Sequence, residues 1–159
     1  MGTNTSENGD VRAVLDGVRR IVQSLRESSR WAEKYLGMTG AQLFVLQELD
    51  EAPAQSLNDL AARTHTHQSS VSVVVTKLVD RGLVRRSKAS GDARRLELSV
   101  TAAGRRLAER APHAAQDRLI AAVNKLSLPR RALLADVLTD LAQAVAGVRR
   151  AGMFFEDGK

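Results

Sequence analysis

The chain has 159 residues and no cysteine, so disulfides, thiolate metal sites and thiol-based redox sensing are excluded at the outset. Its 43% apolar content suffices for a core, yet the aromatic residues are one Trp, one Tyr and three Phe, which leaves the packing to Ala, Val and Leu. The net charge of +6 is uneven: Arg63 to Arg110 holds 11 Lys and Arg against 4 Asp and Glu, and the other residues hold 13 against 14.

All of the excess therefore lies in one central segment, as in a polyanion-binding module set in a near-neutral scaffold. A solvated basic face is the plainer reading of the same charges. The length fits one domain, or one domain with an appended dimerisation element. No run is apolar and long enough to span a bilayer, and no basic-then-apolar leader opens the chain. A cytoplasmic protein without a membrane partner is expected.

Met1 to Asp10 is small and polar and reads as a flexible tail. Val11, Val14, Leu15, Val18, Ile21, Val22 and Leu25 then recur at threes and fours, which predicts one apolar stripe on a long helix. Thr39 followed by Gln42 is a capping box opening a second helix through Leu43, Phe44, Leu46 and Leu49, which Pro53 ends. Ser56 and Asp59 repeat the pattern for a short third helix to about Arg63. Thr64-His65-Thr66-His67 is too polar for a core and short enough for a turn.

Val71, Val74, Val75, Leu78 and Val79 form the inward stripe of a fourth helix. So many β-branched residues give it a weak intrinsic preference, so burial must carry it, and Gly82 stops it. The periodicity then changes to two short strands, Leu83 to Lys88 and Arg94 to Val100, joined by a turn over Ala89 to Ala93. Thr101 caps a long fifth helix, bent or interrupted at Pro112. A last helix opens around Ser127 to Arg130 and carries Leu133, Leu134, Val137, Leu138, Leu141, Val145 and Val148.

Two short helices around a tight turn, followed by a basic hairpin, make a device for reading double-stranded DNA. The second helix of the pair fits the major groove. Its outward face offers Gln68, Ser69, Ser70, Ser72, Val73, Thr76 and Lys77, with Thr66 and His67 leading into it. Hydroxyls and the amide suit base edges or phosphates, and Val73 suits a thymine methyl. Arg94 at the hairpin tip suits the minor groove, where negative potential is high, while Arg85, Arg86, Lys88 and Arg95 suit phosphates. The first and last helices carry apolar stripes that a head of about 50 residues cannot bury, so a two-fold homodimer is expected.

Leu60-Ala61, Ser69-Ser70-Val71-Ser72 leading to Lys77-Leu78, Arg81-Gly82-Leu83-Val84-Arg85-Arg86, Asp92-Ala93-Arg94 and Leu98-Ser99-Val100-Thr101-Ala102-Ala103-Gly104 occur in this order and spacing. In these stretches the chain, from Val11 to Val148, resembles the MarR family of bacterial regulators. The resemblance implies a mainly α fold with a small β-hairpin wing, a winged helix-turn-helix at 39–100. It further implies dimerisation helices at 11–35 and 101–150 and a tail at 151–159. It implies a repressor on a pseudo-palindromic operator, with Arg94 in the minor groove and Asp92 bracing it. It also implies an effector crevice for a small aromatic or phenolic acid near Trp31, Tyr35 and Phe44, with Arg26 or Arg30 for a carboxylate. Ordinary packing between helices explains the same aromatics. Phe154 and Phe155 read as cover for the dimer contact or as part of the tail.

The sequence departs from the family pattern at the turn, where His65 stands in a position commonly Gly, and at Val73, where many relatives carry a basic residue. His65 and His67 invite a metal reading, but no ligand spacing accompanies them, and polar turn residues that cap the helix and touch phosphate are the expectation. No metal or cofactor is expected. Neither a nucleophile triad, a Walker loop nor a dinucleotide fingerprint is present, so an enzyme is not expected. The competing readings are an effector-independent architectural DNA binder and a winged-helix protein-interaction module.

Overall fold

The structure, a computed structural model, describes residues 4–89 and 92–146, excepting the side chains of 4–7, 88–89, 92–96 and 146. Phe154 and Phe155 lie outside the described residues. The chain order is α1 (Asn4–Leu36), α2 (Gly40–Glu51), α3 (Leu57–Arg63), α4 (Gln68–Asp80), β1 (Val84–Ala89), β2 (Asp92–Val100), α5 (Ala102–Arg110), α6 (Ala115–Asn124) and α7 (Leu128–Ala146). Among the described residues no helix is long and apolar enough to cross a membrane.

Local signals place the helix starts. The Thr39 hydroxyl accepts the Gln42 N–H at 3.2 Å while the Gln42 side chain accepts the Thr39 N–H at 3.0 Å, closing the capping box of α2. Ser56 caps α3 by accepting the Asp59 N–H, and the Asp59 carboxylate reaches back to the N–H of Gln55. Thr101 caps α5 through the Gly104 N–H. Each cap satisfies a backbone donor that the helix itself leaves orphaned.

The head forms around Leu43, Val45, Leu46 and Leu49 of α2, Leu60 of α3 and Val71, Val74, Val75 and Leu78 of α4. Leu83, Val84, Leu98 and Val100 close it from the hairpin, and Ala108 from α5. The inward stripe of α4 thus falls where its spacing predicts. β1 and β2 pair antiparallel from Val84↔Val100 to Lys88↔Leu96, after which the register shifts to Ala89↔Asp92. The strands therefore take in Ala89, Asp92 and Ala93, which the sequence assigns to the turn. A further bridge joins Ala54 to Leu98, with N–H to carbonyl distances of 2.9 and 2.8 Å, and ties the exit of α2 to the wing's second strand.

Two expectations need correction. α1 begins at Asn4 rather than Val11, so residues expected as a tail extend the helix beyond the apolar stripe. Thr64 is not a surface turn residue: it is 4% exposed, made tolerable by its hydroxyl donating to the Leu60 carbonyl at 2.8 Å. Of the two outcomes expected at Pro112, the structure shows the interruption, which gives α5 and α6. The Gln47 side chain of α2 serves the gap, donating to the Pro112 carbonyl and accepting the Ala114 N–H. The stripes of α1 and α7, from Val11 to Val22 and from Leu128 to Val145, remain exposed.

The tightest junction lies between the hairpin and α5. Thr101 donates its N–H to the Leu83 carbonyl at 2.9 Å and its hydroxyl to the Gly82 carbonyl at 2.7 Å. This draws Gly104 so close that a Cβ there would overlap the Leu83 carbonyl oxygen and crowd Val100. Gly104→Ala is expected to cost about 1–3 kcal/mol, the usual range for overpacking, read as a lower thermal unfolding midpoint; an unchanged midpoint would show that the junction yields freely.

Glu48 of α2 supplies a pH test. Burial pushes its carboxyl above the usual range, and Glu51 and Asp117 add to the rise, against the lowering influence of Arg63 at 3.5 Å. A raised folded value makes this group's contribution full below the ordinary glutamate range, and that contribution is lost as pH climbs through the raised value. Glu48→Gln is therefore expected to be at least as stable as the parent near neutrality and to lose that advantage on acidification below about pH 4.3. Chemical denaturation at several pH values checks it, and a variant that is weaker at neutral pH contradicts it.

Candidate nucleic-acid interface

α4 is held between two turns of the same geometry. At its exit, the Gly82 N–H bonds to the Val79 carbonyl at 2.8 Å and the Leu83 N–H to the Leu78 carbonyl at 2.9 Å, with Gly82 at φ +67°. This is a Schellman turn, in which a left-handed residue lets the chain cap the last helical carbonyls. At the exit of α3, leading into α4, the His65 N–H bonds to Ala62 at 3.2 Å and the Thr66 N–H to Ala61 at 3.0 Å, with His65 at φ +50°. A histidine thus does at the helix-turn-helix what glycine does at the wing's root.

The entrance to α4 differs from those of α2, α3 and α5. His67 occupies the N-cap position but makes no side-chain cap bond, contrary to the expectation that it caps the helix. An imidazole is longer than the hydroxyl or carboxylate that reaches a first-turn N–H. The first turn of α4, starting at Gln68, is thus left without that cap at the head's polar edge, an arrangement that favours a phosphate oxygen.

The outward stripe of α4 carries most of the expected reading residues. His67, Gln68, Ser69, Val73, Thr76 and Lys77 are exposed, and Thr66, Ser70 and Ser72 are partly buried beside them. The inward side belongs to the core. One hydroxyl is already engaged: Thr76 donates to the Ser72 carbonyl at 2.9 Å and accepts from the Arg86 guanidinium at 3.2 Å. Arg86 therefore reaches from β1 onto α4. Its neighbour Arg85 crosses the hairpin instead, donating to the Ser99 hydroxyl at 3.0 Å. The side chains of Lys88, Asp92, Arg94 and Arg95 lie outside those described; their backbones stand in the two strands, at and beside the register shift.

Several cations of the basic segment serve the fold. Arg63 donates to carbonyls at the end of α2, including Glu48 and Ala52. Arg81 donates to the Gly37 and Leu36 carbonyls at the end of α1, at 2.8 and 3.1 Å. Arg105 pairs with Asp50 at 3.2 Å. Cations near a helix C-terminus offset its unsatisfied carbonyls. Charge counting missed these roles because each partner, carbonyl or carboxylate, is distant in sequence.

The residues expected at an effector crevice are divided. Trp31 and Tyr35 meet on α1 with ring centroids 5.2 Å apart and planes tilted by 39°, and the Lys34 ammonium stands 5.1 Å from the Tyr35 ring centre. Tyr35 is 60% exposed, and Arg26 and Arg30 are exposed on the same helix. Phe44, at 2%, is buried and fills the interior rather than an open face.

Known proteins share this organisation. The family model of the MarR family matches residues 36–95, from the end of α1 into the second strand of the hairpin. The HTH-type transcriptional repressor Rv2887 of Mycobacterium tuberculosis is 31% identical over 115 residues, spanning 70% of this chain and 81% of the relative. The HTH-type transcriptional regulator FarR of Neisseria gonorrhoeae is 31% identical over 106 residues, 67% of this chain and 73% of that protein. In fold the chain is similar to MepR of S. aureus in its complex with DNA, at a TM-score of 0.53 and 19% identity, covering 83% of this chain and 95% of MepR.

The left-handed conformation of His65 generates a prediction. A residue with a Cβ costs roughly 1–2 kcal/mol in that region relative to glycine, part of which glycine returns through its greater freedom when unfolded. His65→Gly is expected to stabilise the protein by about 1 kcal/mol or less in denaturant unfolding. A clear loss of stability would mean that the imidazole makes a compensating contact.

Proposed function

The chain belongs to the MarR family of winged-helix transcriptional regulators, and from that premise we propose that it is a homodimeric repressor of a pseudo-palindromic operator. Each protomer lays α4 in a major groove, with Gln68 to Lys77 toward the bases and the uncapped first turn toward a phosphate. The wing follows the backbone: Arg85, Arg86, Lys88 and Arg95 meet phosphates, and Arg94, braced by Asp92, enters the minor groove. The observation that carries this reading is the pairing of an uncapped, polar-faced α4 with a hairpin whose Arg86 is bonded to that helix. The Mycobacterium relative, named a repressor, supports the sign of regulation.

The dimer follows from the terminal helices. α1 and α7 expose Val11, Val14, Leu15, Val18, Leu133, Val137, Leu138 and Leu141 among others, stripes at helical spacing that water disfavours. A second copy covers them and sets two reading helices about one turn of DNA apart. In this division residues 11–35 and 101–150 dimerise and 39–100 read DNA. The Trp31–Tyr35 pair, with Trp31 partly buried and Tyr35 exposed, and with Arg26 and Arg30 on the same helix, favours a small aromatic acid as the effector. Such a ligand acts by binding one dimer geometry better than the other.

The test is a titration of the full chain against its own promoter DNA and a scrambled duplex at two salt concentrations, with mass measured by light scattering. A dimer is expected, selective for the promoter. Its affinity is expected to fall about a thousandfold or more between 50 and 200 mM salt, as for proteins that neutralise six or more phosphates. Equal affinity for both duplexes would favour the architectural role. Binding to neither at low salt, or a monomer at working concentration, would overturn the proposal.

A further inference from the structure

We infer that α4 reads its operator through a methyl contact, Val73 against the C5-methyl of a thymine, while Thr76 and Arg86 position the helix rather than read bases. This rests on the DNA-binding reading above and specifies what that site selects.

Val73 is 45% exposed. Among the described residues it is the one large apolar side chain exposed between Gly40 and Arg110; the others lie on α1 and α7. A single exposed apolar residue is ordinary on a protein surface, so its position must carry the argument. It sits mid-stripe on the outward face of α4, one turn from Ser69 and one turn from Lys77. The core takes nothing from it, since Val71, Val74, Val75 and Leu78 supply the inward side. Its β-branch is also a poor choice for an exposed helix position. Folding therefore gives no reason for valine here.

The neighbouring groups leave the mid-helix readout to it. Thr76, one turn on, has already given its only hydroxyl hydrogen to the Ser72 carbonyl and accepts the Arg86 guanidinium, so it has no donor for a base edge. From Gln68 to Thr76 the helix carries no cation, so the one arginine or lysine on its reading face is Lys77, a full turn beyond Val73. The thymine C5-methyl is the apolar feature that the major groove presents, and a valine side chain is its complement. The Arg86–Thr76 bond in turn ties α4 to the wing and so orders the two elements before they meet DNA, without choosing which base Val73 meets.

The experiment starts from duplexes selected by the full chain from a randomised pool. Each thymine of the selected operator is replaced by deoxyuridine, which deletes only the methyl group, symmetrically in both half-sites. One thymine position is expected to weaken binding by about fourfold per half-site, the loss of one buried methyl. The Val73→Ala variant should bind the parent operator more weakly and be indifferent to uracil there. Replacing that T·A pair by C·G should weaken the parent protein further, and 5-methylcytosine should recover part of the loss for the parent protein alone. Thr76→Val should weaken every duplex alike without moving the uracil-sensitive position, as a positioning role requires.

Tolerance of uracil at every thymine, or undiminished sensitivity in Val73→Ala, would overturn the inference while leaving DNA binding intact. A shifted uracil pattern in Thr76→Val would return Thr76 to base reading and overturn its positioning role. Failure to select any duplex would overturn the DNA-binding reading, and this inference with it. Circular dichroism of each variant separates a lost contact from a lost fold.

Discussion

The reading head is held to the rest of the chain at the carbonyl of Leu83. The N–H of that residue closes the turn that ends α4, its side chain packs in the core, and its carbonyl accepts the N–H of Thr101, whose hydroxyl donates to the adjoining Gly82 carbonyl. Gly104 then presses its bare Cα against the same carbonyl. One residue therefore ends the reading helix, opens the wing and seats α5, with no side chain between them to act as a cushion. Interiors packed this closely transmit displacement rather than absorb it. Arg81, two residues earlier, ties the same corner to the last carbonyls of α1. Two helices proposed to meet in the dimer seam and its neighbourhood thus bear directly on the end of α4, a route by which their relative movement would re-aim the reading helix.

Charge in the head divides by role. Arg63 and Arg81 bond to carbonyls at the ends of helices, and Arg105 is paired with Asp50. Arg85 and Arg86 each spend a donor within the head, on Ser99 and Thr76. A guanidinium has five donors, so the last two retain others for the phosphates proposed above while their direction is fixed. Pre-orientation of this kind lowers the entropy lost on binding. The positive balance of the central segment therefore overstates its free charge and understates its order.

The signals legible in the sequence were the local ones. Thr39 with Gln42, Ser56 with Asp59, and Thr101 each act within four residues, and the Val71–Leu78 stripe follows from helical geometry alone. Pro112 announces a break for reasons internal to its own backbone. What escaped is non-local. The Ala54–Leu98 bridge joins segments with no shared motif, and Thr64 is hidden because its hydroxyl finds a helix carbonyl, not because threonine is apolar. His65 misleads in the other direction: residue type speaks against a left-handed turn, yet two backbone hydrogen bonds impose one. At the interface the order of the elements was legible, whereas the diversion of Thr76 by Arg86 was not, because hydrogen-bond competition depends on a strand eight or more residues away.

α4 itself shows why reading and folding need not conflict. Val71, Val73, Val74, Val75 and Thr76 make its middle a run that favours extended structure when isolated. Short helices of such composition do not persist in water. Burial of one side and a Schellman turn at each end of its neighbourhood, one through His65 and one through Gly82, supply what propensity lacks. With the backbone secured from the inside, the outer positions are released from any duty to stabilise the helix. A valine can then stand in water where a lysine or glutamate would fold as well or better, and its placement is best explained by what it meets outside the protein.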